Sequence, residues 1–115
     1  MDPLEEVIAS IILGLRREES PTNLLQEIKK IKLEDRFYKE ILESVTRQLA
    51  NSLDERSLFG RLVKLDEEGL ERIKESSEEF LEFEPFKRVD RVKALKFWSD
   101  VLNIVLTKLK EESGK

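Results

Sequence analysis

Apolar residues recur at three- and four-residue spacing along most of the chain, which is the period of one face of an α-helix. The first such stripe runs from Leu4 to Leu15 and is followed by Arg16 and Arg17. Asp2-Pro3 precedes it as an N-cap and a proline at the first helical position. We therefore expect a first helix that ends at about Arg17.

Capping signals divide the middle of the chain. Ser20-Pro21 predicts a short helix that ends at about Lys30, and Leu33-Glu34-Asp35 indicates a brief break. A third helix follows, and it should fade near Asn51-Ser52. Its apolar positions stand four residues apart: Phe37, Ile41, Val45 and Leu49.

Two more start signals follow. Ser52–Glu55 offers a capping box for a short amphipathic helix over Leu58–Leu65, which Gly60 weakens. Asp66-Glu67-Glu68 places acids at the N-terminus of another helix, where the helix dipole favours them.

The segment Phe80–Phe86 is ambiguous, because its middle alternates like a strand and Pro85 disfavours helix at Glu84. One strand cannot form a sheet, so we interpret the segment as a helix end followed by an extended kink. A last helix is expected from about Phe86 to Glu111. The pattern predicts an all-α protein: a compact bundle of about five to six helices with a long C-terminal helix, in one domain over residues 1–115.

Composition then limits the chemistry. The 115 residues include no cysteine and no histidine, which excludes disulfides, thiolate nucleophiles and the most frequent general base and metal ligand. Nucleotide-binding glycine loops and the nucleophile elbow are also missing from the sequence. We expect a non-catalytic protein with no cofactor, metal or small-molecule substrate. A site built from carboxylates alone is the alternative.

Charged residues make up 40% of the chain, and no run of about 18 apolar residues could span a membrane. This composition predicts a cytoplasmic protein without a membrane contact. Abundant Lys, Glu and Arg beside few Gln are typical of thermophile proteins.

The net charge of −4 is unevenly spread. Residues 66–84 hold nine acids and two bases, whereas residues 87–96 hold five bases and one acid. One interpretation is that the two segments pack side by side and partly neutralise each other. The other is a patch for nucleic acid or an acidic partner, with nucleic acid secondary because the pI is about 5.1. The candidate contacts are Lys87, Arg88, Arg91, Lys93 and Lys96.

The last helix carries apolar residues around much of its circumference, since adjacent residues point about 100° apart. Such a helix is either central to the bundle or paired with another chain. The expectation is a protein partner or self-association through Phe97, Trp98, Val101, Leu102, Ile104 and Val105.

The segment Lys32–Ile41 resembles a stretch of archaeal GINS subunits, in which an acidic-aromatic "(D/E)-x-F-Y" start opens a helix. Asp35, Phe37 and Tyr38 fill that pattern here, with the later positions Ile41, Val45 and Leu49. Residues 86–93 loosely resemble the basic long helix of that family. The likeness covers about 60 residues, and the small β-rich domain that those subunits usually have finds no room in this chain.

The resemblance implies a scaffold in the DNA replicative helicase assembly, in contact with the MCM ring and sister subunits and without an active site. Two alternatives stay open: a small nucleic-acid-associated subunit of the CRISPR effector type, and a self-associating helical adaptor.

Overall fold

A computed structural model describes residues 3–114 of the chain. Within that range it contains six α-helices and two short 3₁₀ helices, and no strand. The α-helices are α1 (Pro3–Arg16), α2 (Pro21–Lys29), α3 (Arg36–Asn51), α4 (Leu58–Lys64), α5 (Glu67–Ser76) and α6 (Arg91–Ser113). The 3₁₀ helices, Glu78–Glu82 and Glu84–Arg88, lie between α5 and α6. The predicted all-α bundle with a long C-terminal helix is confirmed.

Side-chain caps set most helix starts, as the sequence indicated. Ser20, Asp35 and Asp66 each accept a hydrogen bond from a backbone N–H in the first turn of the helix that follows. The predicted cap at Asp2 lies outside the described residues.

The fourth helix begins differently from the prediction. Ser52 is the residue after the end of α3, and Ser57 caps α4 by accepting a hydrogen bond from Gly60 N at 3.0 Å. Asp54 instead accepts hydrogen bonds from the N–H groups of Arg56 and Ser57, so its side chain holds a turn before the helix. The predicted capping box at Ser52–Glu55 is therefore wrong.

The segment between α5 and α6 also departs from the prediction. Ser77 adopts a left-handed conformation with φ 47°, and its hydroxyl donates to Lys74 O at 2.7 Å, which ends α5. Phe83 is extended between the two 3₁₀ helices. The last helix starts at Arg91 and not at Phe86, because Asp90 accepts hydrogen bonds from Val92 N and Lys93 N and so caps it.

Helices α1 and α6 form the centre of the bundle and pack against each other. Helix α4 covers α1 from one side, and α5 with the first 3₁₀ helix covers α6. Helices α2 and α3 pair with each other, and α2 also contacts α1. The buried apolar residues of all these elements form a continuous core, and the radius of gyration of 13.3 Å is that expected for a compact chain of this length.

Aromatic residues fill the middle of this core around Trp98. The indole of Trp98 stacks on Phe80 at 4.7 Å between ring centroids, and the rings of Phe59, Phe86 and Phe97 pack around it. These rings come from α4, both 3₁₀ helices and α6. The irregular segment before α6 is thus held in place by burial of its aromatic side chains.

Candidate functional site: an open groove beside helix α3

An open groove of about 630 Å³ lies between the end of α2 and the outer surface of α3. The uncharged residues of its floor are the apolar Ile28, Ile31, Leu42 and Ala50, together with Thr46. Leu42, Thr46 and Ala50 stand four residues apart on α3, so they form one row along the helix. The hydroxyl of Thr46 donates to Leu42 O at 2.8 Å and is therefore already engaged. We call this depression the α2–α3 groove.

Three charged side chains border the α2–α3 groove: Lys29, Glu43 and Arg47. Within residues 3–114, none of the three forms an ion pair. Arg47 only donates a long hydrogen bond from Nη2 to Ser44 Oγ at 3.4 Å. The groove therefore combines a largely apolar floor with charges that have no counter-ion among the described residues.

Arg47 also borders two other depressions. A polar groove of about 600 Å³ lies between the end of α3, residues 52–58 and the 3₁₀ helices, and a recess of about 260 Å³ lies between α3 and the second 3₁₀ helix. In the polar groove, Arg61 and Glu79 form an ion pair at 2.6 Å, and Gln48 Oε1 is buried without a hydrogen-bond partner among the described residues. Arg47 thus lines all three depressions.

Three of the five predicted basic contacts form ion pairs within the molecule. Arg91 pairs with Glu78 at 2.6 Å, Lys93 with Asp35 at 3.0 Å and Lys96 with Asp100 at 2.9 Å. The ion pair with Asp100 raises the pKa of Lys96, and the hydrogen bond from Lys93 lowers the pKa of Asp35.

The remaining two bases, Lys87 and Arg88, lie before α6 on the second 3₁₀ helix. Among the described residues neither has an ion-pair partner, and Arg88 borders the recess beside α3. The ion pair between Arg91 and Glu78 joins the basic segment to the acidic one. It is the kind of contact that the side-by-side interpretation expects.

The six predicted partner contacts on α6 lie mostly inside the molecule. Phe97, Trp98, Val101, Leu102 and Val105 are at most 2% exposed, and Ile104 is partly buried. Helix α6 is therefore the central helix of the two possibilities that its sequence allowed, although Val92 in its first turn is 74% exposed. The prediction of a protein partner stays a prediction that needs a different surface.

The residues of the α2–α3 groove were not singled out from the sequence. Ile31 lies beyond the last residue of α2, and Leu42 stands beside the main apolar row of α3. The narrower row that contains Leu42 is the one signal of the groove in the sequence. The helix needs apolar residues there only if another element or a partner covers that side of α3.

Three general properties complete the description. Among residues 3–114, no group of His, Cys, Asp and Glu side chains is arranged to hold a metal ion. No helix in the same range is long and apolar enough to cross a membrane. Comparison with family models, curated protein sequences and solved structures found no match to this chain.

Proposed function

We propose that this chain is a non-catalytic helical subunit of a multiprotein assembly and that it joins its partner through the α2–α3 groove. The observation that carries the proposal is the open apolar floor of that groove beside uncompensated charges on its rim. The same chain covers Trp98 and its neighbours completely. Ile28 in this floor is buried, Ile31 and Leu42 are partly buried, and Ala50 is exposed, so the depression offers apolar surface that a partner can cover.

The composition of the groove suits a protein partner. Protein interfaces combine an apolar centre with a polar rim, and arginine is enriched among the residues that dominate their binding energy. Arg47 fits that description, because it is exposed, lies next to apolar residues and has no ion pair among the described residues.

The specific assembly that we propose is of the GINS type, a scaffold in the replicative helicase complex. Its support is the resemblance in residues 32–41. In the structure, Asp35 caps α3, Phe37 and Ile41 are buried, and Tyr38 packs against the core. These positions serve the fold, so they support a shared helical framework and identify no contact residue.

Complex formation in the native organism tests the proposal. The full chain, purified under mild conditions from its own cells, should elute in a complex larger than itself together with sister subunits or MCM, as identified by mass spectrometry. A chain that elutes only as a monomer, with no replication protein in repeated purifications, would refute the GINS-type assignment. A stable complex with other proteins would support the role as a subunit, but it would identify an assembly other than the GINS type.

Nucleic-acid binding is the alternative, and the ion pairs of Arg91, Lys93 and Lys96 weaken its basis. We expect RNA and DNA oligonucleotides to bind weakly if at all, with no change in the variant Arg88→Glu/Arg91→Glu. Tight binding that falls steeply with salt and disappears in this variant would favour the nucleic-acid function instead.

A further inference from the structure

We propose that the α2–α3 groove binds an amphipathic helix of the partner protein with acidic residues on both sides of its apolar face. This inference rests on the proposed function and states the chemistry of the partner. It depends on two properties of the groove, its shape and the sign of the charge around it.

The shape fits two turns of a helix. Leu42 and Ala50 are eight residues apart, which corresponds to about 12 Å along α3. Thr46 and Ala50 are small, so a partner backbone can approach α3 closely at that end, while Leu42 and Ile31 offer larger apolar contacts. A docked helix would place apolar residues at positions i, i+3 or i+4, and i+7 over this floor.

The charge around the groove favours acids on the partner. Lys39, Glu43 and Arg47 stand four residues apart in one row on α3, and Lys29 of α2 borders the groove together with Glu43 and Arg47. On α2, α3 and the segment that joins them, the described charges without an ion pair are four bases against two acids. The bases are Lys29, Lys32, Lys39 and Arg47, and the acids are Glu34 and Glu43.

A second copy of this chain is a poorer occupant. The acidic segment of residues 66–84 has the right sign, but Leu70 and Phe80 are at most 1% exposed, and Ile73, Leu81 and Phe83 are partly buried against the core. That segment presents acids beside apolar residues that the core already holds. Nucleic acid is also a poor occupant, because the floor is largely apolar.

Peptide selection tests the proposal directly. A display library of helical peptides with randomised apolar and charged positions is selected against the immobilised full chain. The soluble Ala50→Glu variant is added as a competitor, so that peptides that bind outside the groove are removed. We expect the selected peptides to be amphipathic and rich in Asp and Glu beside the apolar face. Basic or uncharged peptides, or none that prefers the native chain to the variant, would overturn the proposal.

The selected peptide, labelled with fluorescein, then serves as the probe for affinity. Fluorescence anisotropy should show binding weakened about tenfold or more by Ala50→Glu and by Arg47→Glu, as is usual for central interface residues. Glu43→Lys should strengthen binding, because it removes the one acid of the α3 row. Arg72→Glu is the matched control, since Arg72 is an exposed base on α5 without an ion pair among the described residues, and its effect should stay within about twofold.

The outcomes separate this inference from the proposed function. Ala50 is exposed, so Ala50→Glu should keep the native circular dichroism spectrum and melting temperature, and lost binding then reports on the groove. If the native complex forms but survives Ala50→Glu and Arg47→Glu unchanged, the groove is wrong and the subunit role stands. If Ala50→Glu abolishes concentration-dependent self-association in sedimentation, the occupant is a second copy and the acidic-helix proposal fails.

Discussion

Helices α6 and α3 both carry apolar residues beyond a single narrow stripe, but the rest of the protein covers the two helices to different extents. Helix α6 lies between α1 on one side and α5 with the first 3₁₀ helix on the other, so its apolar residues are covered around most of its circumference. Helix α3 is covered by α2 and the second 3₁₀ helix, and Leu42 with its neighbours faces an open groove. The number of apolar residues along a helix therefore does not identify an interface. The position of the helix within the bundle decides which of its apolar residues stay uncovered and available to a partner.

The largest expected effect comes from removing the centre of the covered region. Trp98→Ala should lower the free energy of unfolding by about 3–5 kcal/mol, because it leaves a cavity among Phe80, Phe59 and Phe86. Leu42→Ala, in the open groove, should cost about 1 kcal/mol or less, since solvent or a shifted neighbour can fill its place. Urea unfolding followed by circular dichroism measures both.

Equal losses in the two variants would show that α3 is buried as deeply as α6, and the comparison of the two helices would fail. If Trp98→Ala does not fold, Trp98→Phe provides the comparison. The indole Nε1 is buried without a hydrogen-bond partner among the described residues, so the phenyl ring also removes an unsatisfied donor. We expect a loss for Trp98→Phe that is clearly smaller than that for Trp98→Ala.

A second prediction concerns the close packing of the covered region at Gly60, next to the buried Phe59. A Cβ atom at Gly60 would lie 1.9 Å from the carbonyl oxygen of Asp54, so the backbone of residues 54–57 would have to move. Gly60→Ala should therefore destabilise the fold by about 1–3 kcal/mol, although alanine is the better helix former. The matched control is Gly114→Ala, where the nearest atom is 3.5 Å away and the change should be almost neutral.

Thermal unfolding of these two variants measures the difference. A Gly60→Ala variant as stable as the native chain would mean that the turn at residues 54–57 yields at little cost. The sequence alone suggested the opposite effect for Gly60→Ala, because it showed Gly60 only as a residue that weakens a helix. Its close approach to Asp54 depends on the turn that Asp54 and Ser57 form, and no spacing rule reveals that contact.

The helices could be predicted because their starts depend on local contacts. Asp35 and Asp66 act on N–H groups two or three residues away, so their roles follow from the order of residues. The start of α6 was misplaced because the prediction did not use the cap at Asp90, and the residues before it, with the buried Phe86, form a separate 3₁₀ helix.

The candidate site could not be predicted in the same way. Two of the bases at positions 87–96 have partners that lie outside this segment: Lys93 meets Asp35, which lies 58 residues away, and Arg91 meets Glu78, which lies 13 residues away. In the same way, the α2–α3 groove joins Ile28 and Ile31 to residues of α3 that lie 11 or more positions further along the chain. Which charges are compensated and which apolar residues stay open are properties of the packing between elements, and the order of residues alone does not reveal them.

The smallest expected effect concerns the compensated charge of Lys93, in contrast to the uncompensated charge of Arg47. The hydrogen bond from Lys93 Nζ to Asp35 Oδ2 lowers the pKa of Asp35 below its ordinary value of about 3.8, and the N–H of Phe37 lowers it further. The ion pair therefore contributes its full stabilisation above pH 3.8, and this contribution is lost as the pH falls through the lower pKa of the folded state.

Replacing Lys93 isolates that contribution. In Lys93→Met the pKa of Asp35 should rise towards 3.8, and the difference in stability between native chain and variant should shrink as the pH falls below that value. Carboxyl carbon shifts in NMR titrations measure the pKa, and Glu71, whose pKa is lowered by Lys110, is the internal control that should not change. Arg47→Met should leave the pKa of Asp35 unaltered, because Arg47 has no carboxylate partner among the described residues. An Asp35 pKa that is the same with and without Lys93 would show that the ion pair is absent in solution, and Lys93 would then belong with the uncompensated bases that are available to a partner.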